Sequence, residues 1–450
     1  MVNDNVLEVG HSRLGWLYDD NPDTELTAVM LRNTGHSIEL TIPTSGMASA
    51  HRGPYDRWFK QGSSFGDDPD RTKYSYSPPK VLLFKDSYGS VALVGCRAGN
   101  WRDSFSAGHG VVFADAAVLG SSDYSANEIN GMRASVVAYQ KWFGENNVEI
   151  TRETSQNGRL KSLTLRLAEP RYIVPMQNLG LDFHAMGTWQ VDPVPDGYQI
   201  HQYIRTGTMV EKACAITEHL RMHDEFLDLV CLAAWRDLAF DEIEVLRTSD
   251  PERALSGAPL GEKWCPFLSY RTGGTVHQWD KGEFLFCYHD TDKDLARWFT
   301  MRKRYARAID PVMRILRSGE TWSHQSAVLT GIALEQLGLL ICREKKGDLN
   351  RHGGVSFSKA LDWIVKDSDK LFVESVDEWK KRTHNVYMGA KHGDRAEPSH
   401  LDVLTAVREN LIVIRSWIAM KLGVDPSIIE SNMSSDPANR YFIESRAFGE

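Results

Sequence analysis

The hydrophobic period of this chain changes along its length, and that change constrains the fold more than any other feature. Up to about residue 205 the apolar residues alternate or cluster in short runs; from about residue 293 they fall at steps of three and four. A period of two belongs to the two faces of a strand, and a period near 3.6 to one face of a helix. The chain therefore reads as α+β: a β-rich, sandwich-like N-terminal domain, a mixed connector and a C-terminal all-α bundle.

Residues 1–205 carry the strand signals. Leu26–Leu31 and Ser37–Ile42 flank the hairpin signal Asn33-Thr34-Gly35-His36, with Ile38, Leu40 and Ile42 alternating with Glu39 and Thr41. Val81–Phe84 and Ser90–Val94 flank a second turn at Lys85–Gly89, and Gly110–Leu119, Met132–Tyr139, Leu160–Leu167 and Tyr198–Ile204 continue the series. Ser45–Pro79, rich in Gly and Pro, reads as a long loop. The connector, residues 206–291, reads as one long helix, Ala213–Trp235, and strands at Glu242–Leu246, Phe267–Tyr270 and Glu283–Tyr288. Residues 292–425 form the expected helical domain and 426–450 a tail. In that domain Asp294–Arg317 is amphipathic with a break expected at Pro311, and Gln325–Cys342, apolar on most faces, marks a central helix. Ser356 is the expected N-cap of the next helix, and apolar stripes from Phe372 to Ala390 and from Leu404 to Leu422 complete a four- or five-helix bundle.

Composition narrows the function classes. A length of 450 residues corresponds to about three domains at roughly 150 residues each, and 42% hydrophobic with 25% charged residues describes a folded chain. With 52 basic and 60 acidic residues the net charge is -8, so nucleic acid must be met by a local patch rather than a global field. The longest clearly apolar run, Leu229–Trp235, is far short of the roughly 20 residues of a membrane span, and Asp4 and Glu8 precede the first cation, Arg13. No membrane span, no secretory signal and a cytoplasmic location are expected. The six cysteines form no CxxC pair and read as reduced structural thiols. His219 and His223 share a helix face without the Glu of a zincin or a third ligand, and Gly108-His109-Gly110 lacks the third glycine of a dinucleotide loop, so neither metal nor cofactor is expected.

The chemistry concentrates at the corner Lys391-His392-Gly393-Asp394-Arg395-Ala396-Glu397-Pro398-Ser399-His400. Gly393 is a candidate helix C-cap, and Ser399 with Asp402 three residues later opens the next helix. His400 then lies in a first helical turn, where unpaired N–H groups favour a bound phosphate. Histidine is the residue type that takes and gives protons near neutrality, and Arg395 can grip a phosphate with two parallel hydrogen bonds. The pair suits phosphodiester chemistry without a metal.

Here the sequence resembles the ApeA-like HEPN proteins. The segment Asn385–Val424 looks like that family's last two helices, Ala333-Leu334-Glu335-Gln336-Leu337 like its central helix, and Gly15-Trp16-Leu17, Ser37-Ile38-Glu39-Leu40 and Leu93-Val94-Gly95-Cys96 like its preceding β-rich domain. The resemblance implies a HEPN domain that dimerises and, in active members, cleaves RNA without metal through an Arg, four to six residues, then His. Such members belong to prokaryotic anti-phage, abortive-infection or toxin systems. Arg395 and His400 fit that pair, with Lys391 and His392 as phosphate-binding helpers. The same spacing occurs at Arg102/His109, Arg271/His277 and Arg317/His324, but only Arg395/His400 falls at the corner before the last long helix. Active members carry a polar residue directly after the Arg, and here Ala396 stands there.

Three further expectations complete the reading. The basic segment Lys293–Arg317, with Arg302, Lys303, Arg304 and Arg307 among interleaved aromatics, is a candidate RNA-binding stripe, tRNA among its ligands. Ile412, Val413, Ile414 and Trp417 present apolar surface for a homodimer. A phage-derived trigger or an antidote protein is the expected further partner. The alternative reading is a catalytically weak or inactive HEPN protein acting as a dimeric RNA-binding or regulatory scaffold, which Ala396 favours. A glycan- or peptide-binding β-domain on a helical oligomerisation unit is the third.

Overall fold

The computed structural model of the chain describes residues 5–21, 24–45, 54–59, 77–144, 148–178, 180–269 and 283–439. Its strands are β1 (Ser12–Tyr18), β2 (Thr27–Asn33), β3 (Ile38–Ser45), β4 (Val81–Asp86), β5 (Gly89–Val94), β6 (Arg97–Asp103), β7 (Ala107–Ala114), β8 (Ala116–Leu119), β9 (Glu128–Ser135), β10 (Val148–Thr154), β11 (Leu160–Leu167), β12 (Arg171–Asn178), β13 (Asp182–Val194), β14 (Gly197–Ala215), β15 (Glu242–Leu246), β16 (Glu252–Arg253), β17 (Pro259–Gly261) and β18 (Trp264–Ser269). Its helices are α1 (Val137–Phe143), α2 (Ile216–Ala234), α3 (Leu295–Arg304), α4 (Ala306–Ser318), α5 (His324–Glu344), α6 (Phe357–Asp367), α7 (Val376–Lys391), α8 (His400–Lys421) and α9 (Pro426–Asn432). A large antiparallel sheet thus occupies the chain to about residue 270, and the rest of the described chain is helical.

Fourteen strands join in the order β12-β13-β14-β9-β15-β18-β8-β5-β4-β1-β2-β3-β7-β6, with β10–β11 and β16–β17 as separate hairpins. Local chemistry explains the tightest turn. Asp86 accepts hydrogen bonds from the N–H groups of Tyr88 (2.9 Å) and Gly89 (3.2 Å), and Gly89 takes a φ of 136° that a side chain would resist. The strands β4, β5 and β8 are buried on both faces. Leu82, Phe84, Val91, Leu93, Ala117 and Leu119 enter one core, while Leu83, Ala92, Val94, Ala116 and Val118 enter the other. Their sequences are continuous apolar runs because neither face meets water.

The connector is woven into this sheet. Residue 205 lies inside β14, β15 pairs with β9, and β18 pairs with both β15 and β8. The predicted strand Met132–Tyr139 divides: β9 ends at Ser135, and α1 begins at Val137, whose N–H donates to the Asp241 carboxylate at 2.5 Å. Helix α2 starts at Ile216, three residues later than Ala213, because β14 keeps its partner β9 as far as Ala215. Most of the Ser45–Pro79 loop, together with Tyr270, Arg271 and His277, lies outside the described residues.

In the helical region Ser323, Ser356, Ser375 and Ser399 each cap a helix by accepting the N–H three residues on. The predicted break at Pro311 falls instead at Tyr305, between α3 and α4, and α4 accommodates Pro311 in its interior. Tyr305 is fixed at the bend by its hydroxyl, which donates to Glu344, and by its ring, edge-on to Trp417 at 4.9 Å. Helix α5 is long and apolar enough by composition to cross a membrane, yet 56% of that stretch is buried within the protein. It contacts α4, α6, α7 and α8. Ile412, Val413, Ile414 and Trp417 are 1–3% exposed or less, so the apolar excess read as a dimer face fills the chain's own core.

Candidate functional site

The corner between α7 and α8 is built from three local features. Helix α7 ends at Lys391, where His392 turns to extended backbone while its N–H still reaches the carbonyl of Met388 (3.1 Å). Gly393 does not adopt the left-handed cap expected of it. The loop then folds back over α7 at Gly389: a Cβ there would lie 2.6 Å from the carbonyl oxygen of Ala396 and 3.1 Å from Pro398. Only glycine permits that approach. Ser399 starts α8 by accepting from the N–H of Asp402 (3.1 Å) and donating to its carboxylate (2.6 Å), which places His400 at the first helical position.

The return of the loop encloses an open cleft of about 640 Å³ lined by Lys381, Arg382, His384, Asn385 and Met388 of α7 and by Arg395, Glu397 and Pro398 of the loop. Arg395 is exposed and its backbone N–H bonds the carbonyl of His392 at 3.1 Å. Its guanidinium engages no described residue, and neither do the side-chain amide of Asn385 or the ammonium of Lys381. Other polar groups around them are engaged: Arg382 pairs with the buried Glu409 (2.6 Å), and Glu397 lies 3.7 Å from His324 at the start of α5. His400, His392 and Lys391 are exposed at the same corner but outside the cleft wall. Lys391 donates to the Tyr387 hydroxyl (3.0 Å), which in turn donates to Glu335 (3.0 Å). Its hydrogen bond to the Tyr387 hydroxyl holds the Lys391 ammonium above its ordinary range, with burial opposing the shift. Arg395 and Lys381, without partners among the described residues, line one cleft and can hold a phosphodiester there.

The basic segment is divided in its roles. Arg302 is 13% exposed and bonds the buried Asp228 of α2 (3.1 and 3.0 Å) and Asp310 (2.7 Å), while Arg317 closes on the same Asp228. Arg304 pairs with Glu344 (3.2 Å). Lys303 and Arg307 are exposed, without such partners among the described residues. The four residues therefore do not form one free cationic stripe: Trp298, Phe299 and Tyr305 turn inward and carry Arg302 with them. His219 and His223 are wholly buried, bonded to Thr208 (2.9 Å) and Thr206 (2.8 Å) of β14, and no third His, Cys, Asp or Glu completes a metal cluster with them among the described residues. Burial, with the neighbouring His219, pushes the His223 imidazole down to about 3. The six cysteines are free thiols, Cys231 pushed up to about 12 by burial.

The cleft wall on α7 escapes a reading that concentrates on the Arg–His spacing. The available signal is the series Lys381, His384, Asn385 and Met388 at i, i+3, i+4 and i+7, a polar face on a helix whose other face is set by Trp379, Thr383, Val386 and Tyr387. In comparisons with known proteins, no curated protein and no solved structure matches the chain. The family ApeA N-terminal domain 1 does, over residues 12–301. That match spans well over half of the chain, takes in the whole sheet and ends inside α3, ahead of the helices that carry Arg395 and His400. The sheet and its connector thus form one family unit, and the chain belongs to the ApeA N-terminal domain family, whose namesake is an anti-phage defence protein.

Proposed function

We propose that the protein is a metal-independent endoribonuclease of a prokaryotic anti-phage defence or toxin system, with a HEPN-type helical domain controlled by the β-domain. The supporting observation is the guanidinium of Arg395, which lines the cleft and engages no partner among the described residues. In this reading the His400 imidazole takes the proton of a ribose 2′-hydroxyl. That oxygen attacks the adjacent phosphorus, and the bond from phosphorus to the 5′-oxygen breaks. The imidazolium returns the proton to the departing oxygen, leaving a 2′,3′-cyclic phosphate and a 5′-hydroxyl. Arg395 neutralises charge growing on the phosphoryl oxygens, and Lys391 and His392 hold the strand from outside the cleft. The chain acts as a cytoplasmic homodimer on RNA, released by a phage-derived trigger or restrained by an antidote.

The test is His400→Ala and Arg395→Ala in the full chain, co-expressed with phage infection and assayed on total RNA. Both side chains are exposed, so folding should change by less than about 1 kcal/mol, whereas cleavage should fall at least about a hundredfold. Sedimentation of the same samples reads the dimer. The second reading, a regulatory or RNA-binding scaffold, is favoured by Ala396 and by the acids Glu378, Glu397 and Asp402 around the cleft. Parental cleavage retained by His400→Ala would establish it over the nuclease.

A further inference from the structure

We propose that the cleft between α7 and the 392–399 loop is a pocket for one unpaired nucleobase beside the scissile phosphate, with Asn385 reading the base edge. The inference rests on the ribonuclease reading and adds to it a specificity-determining residue. A volume of about 640 Å³ lies within the range of roughly 300–1,000 Å³ that holds small ligands. The wall offers a base both kinds of contact it needs. Met388, Pro398 and the ring of His384 provide apolar and planar surface, and the Asn385 amide provides a donor and an acceptor side by side. That amide has no hydrogen-bond partner among the described residues, while the neighbouring Arg382 is bound to Glu409 and Ser399 to Asp402.

Arg395 and Lys381, the latter one helical turn before Asn385, line the same cleft and supply cations for the phosphates flanking a base held there. Bidentate contact to a base edge is the geometry by which an amide side chain discriminates bases. In an A-form duplex the edges are paired and the major groove is too narrow for a side chain, so the pocket accepts a base only when it is splayed out.

The experiment uses the full chain and four synthetic 20-nucleotide RNAs, each unstructured and differing in the single base at the cleavage site, with 2′-O-methyl versions for binding by fluorescence anisotropy. The parent should favour one base by at least about tenfold and act on the same sequence in a duplex at least about a hundredfold more slowly. Asn385→Ala should level the four RNAs to within about threefold. Asn385→Asp, an acceptor only, should move the preference toward a base that presents an amino group, a shift that misfolding cannot produce. Equal treatment of the four bases by the parent, or an unchanged preference in both variants, overturns the pocket while leaving the nuclease standing. Base-selective binding that Asn385→Ala abolishes, without cleavage of any RNA, sustains the pocket and refutes the nuclease.

Discussion

Asp436→Ala is predicted to destabilise the helical region strongly. Arg415 of α8 is 0% exposed and Asp436 1%, and they meet through two parallel hydrogen bonds of 2.8 and 2.7 Å. The same guanidinium donates to the carbonyls of Leu232 (2.7 Å) and Ala233 (3.3 Å) in the last turn of α2. One cation therefore ties the bundle and the segment after α9 to the helix that packs on the sheet. Removing the carboxylate leaves that charge with two carbonyl acceptors and no counter-ion, a change worth about 3–5 kcal/mol. Against a total stability of about 5–15 kcal/mol this is a large fraction. At about 2.1 cal/mol/K per residue, a chain of this length melting as one unit has an unfolding entropy near ~0.95 kcal/mol/K, so Tm should fall by about 3–5 °C. Urea titration followed by both far-UV dichroism and tryptophan fluorescence measures the loss and checks that the transitions coincide. Glu430→Gln, which breaks the exposed pair with Lys370, serves as the control and should cost less than about 1 kcal/mol. A loss below about 1 kcal/mol for Asp436→Ala would show that the buried guanidinium is satisfied without its carboxylate, and the argument would fail.

Reversing Lys303 and Arg307 to Glu should weaken RNA binding and flatten its salt dependence with little effect on folding, whereas Arg302→Glu should destabilise the chain by placing a carboxylate against Asp228; equal melting of the two variants would contradict this division. His223 and His219 are held neutral with folded values below the ordinary 6.5, so below pH 6.5 the unfolded chain binds protons that the folded chain refuses. Their contribution is complete above pH 6.5 and is lost on acidification, for His223 toward about 3, at up to ~1.4 kcal/mol per pH unit. His223→Phe should accordingly shrink the loss of stability between pH 7 and 5 by up to about 2 kcal/mol in urea titrations, and an undiminished loss would place the acid sensitivity elsewhere.

What the sequence made legible was local, and what it concealed was long-range. Ser356 and Ser399 were readable as caps because the N–H groups they accept lie three residues away. The hairpins around Lys85–Gly89 and Asn33–His36 were readable for the same reason. Nothing near Arg302 announces that its charge is matched by Asp228, and nothing near Ile412 announces that its apolar surface is already covered. The length of β14 was hidden because beyond Met209 it outruns its neighbour β13 and continues against β9, with Cys214 opposite Ile129 and Ala215 opposite Glu128, some 85 residues earlier. The candidate site divides in the same way: the corner with Arg395 and His400 is a local pattern, whereas the cleft depends on how closely Gly389 lets the loop return.

The position of β18 has a consequence for the order of biosynthesis. It is the strand that joins the two halves of the sheet, between β15 and β8, and it is made from residues 264–269. Until the ribosome has passed that point the nascent chain holds two half-sheets, each with an open edge toward the missing strand, and such edges invite pairing with other chains. A protein broken off early is thus marked for aggregation or degradation rather than for partial function. Because Arg395 and His400 emerge more than a hundred residues after β18, the β-domain can be complete before any copy of the cleft exists.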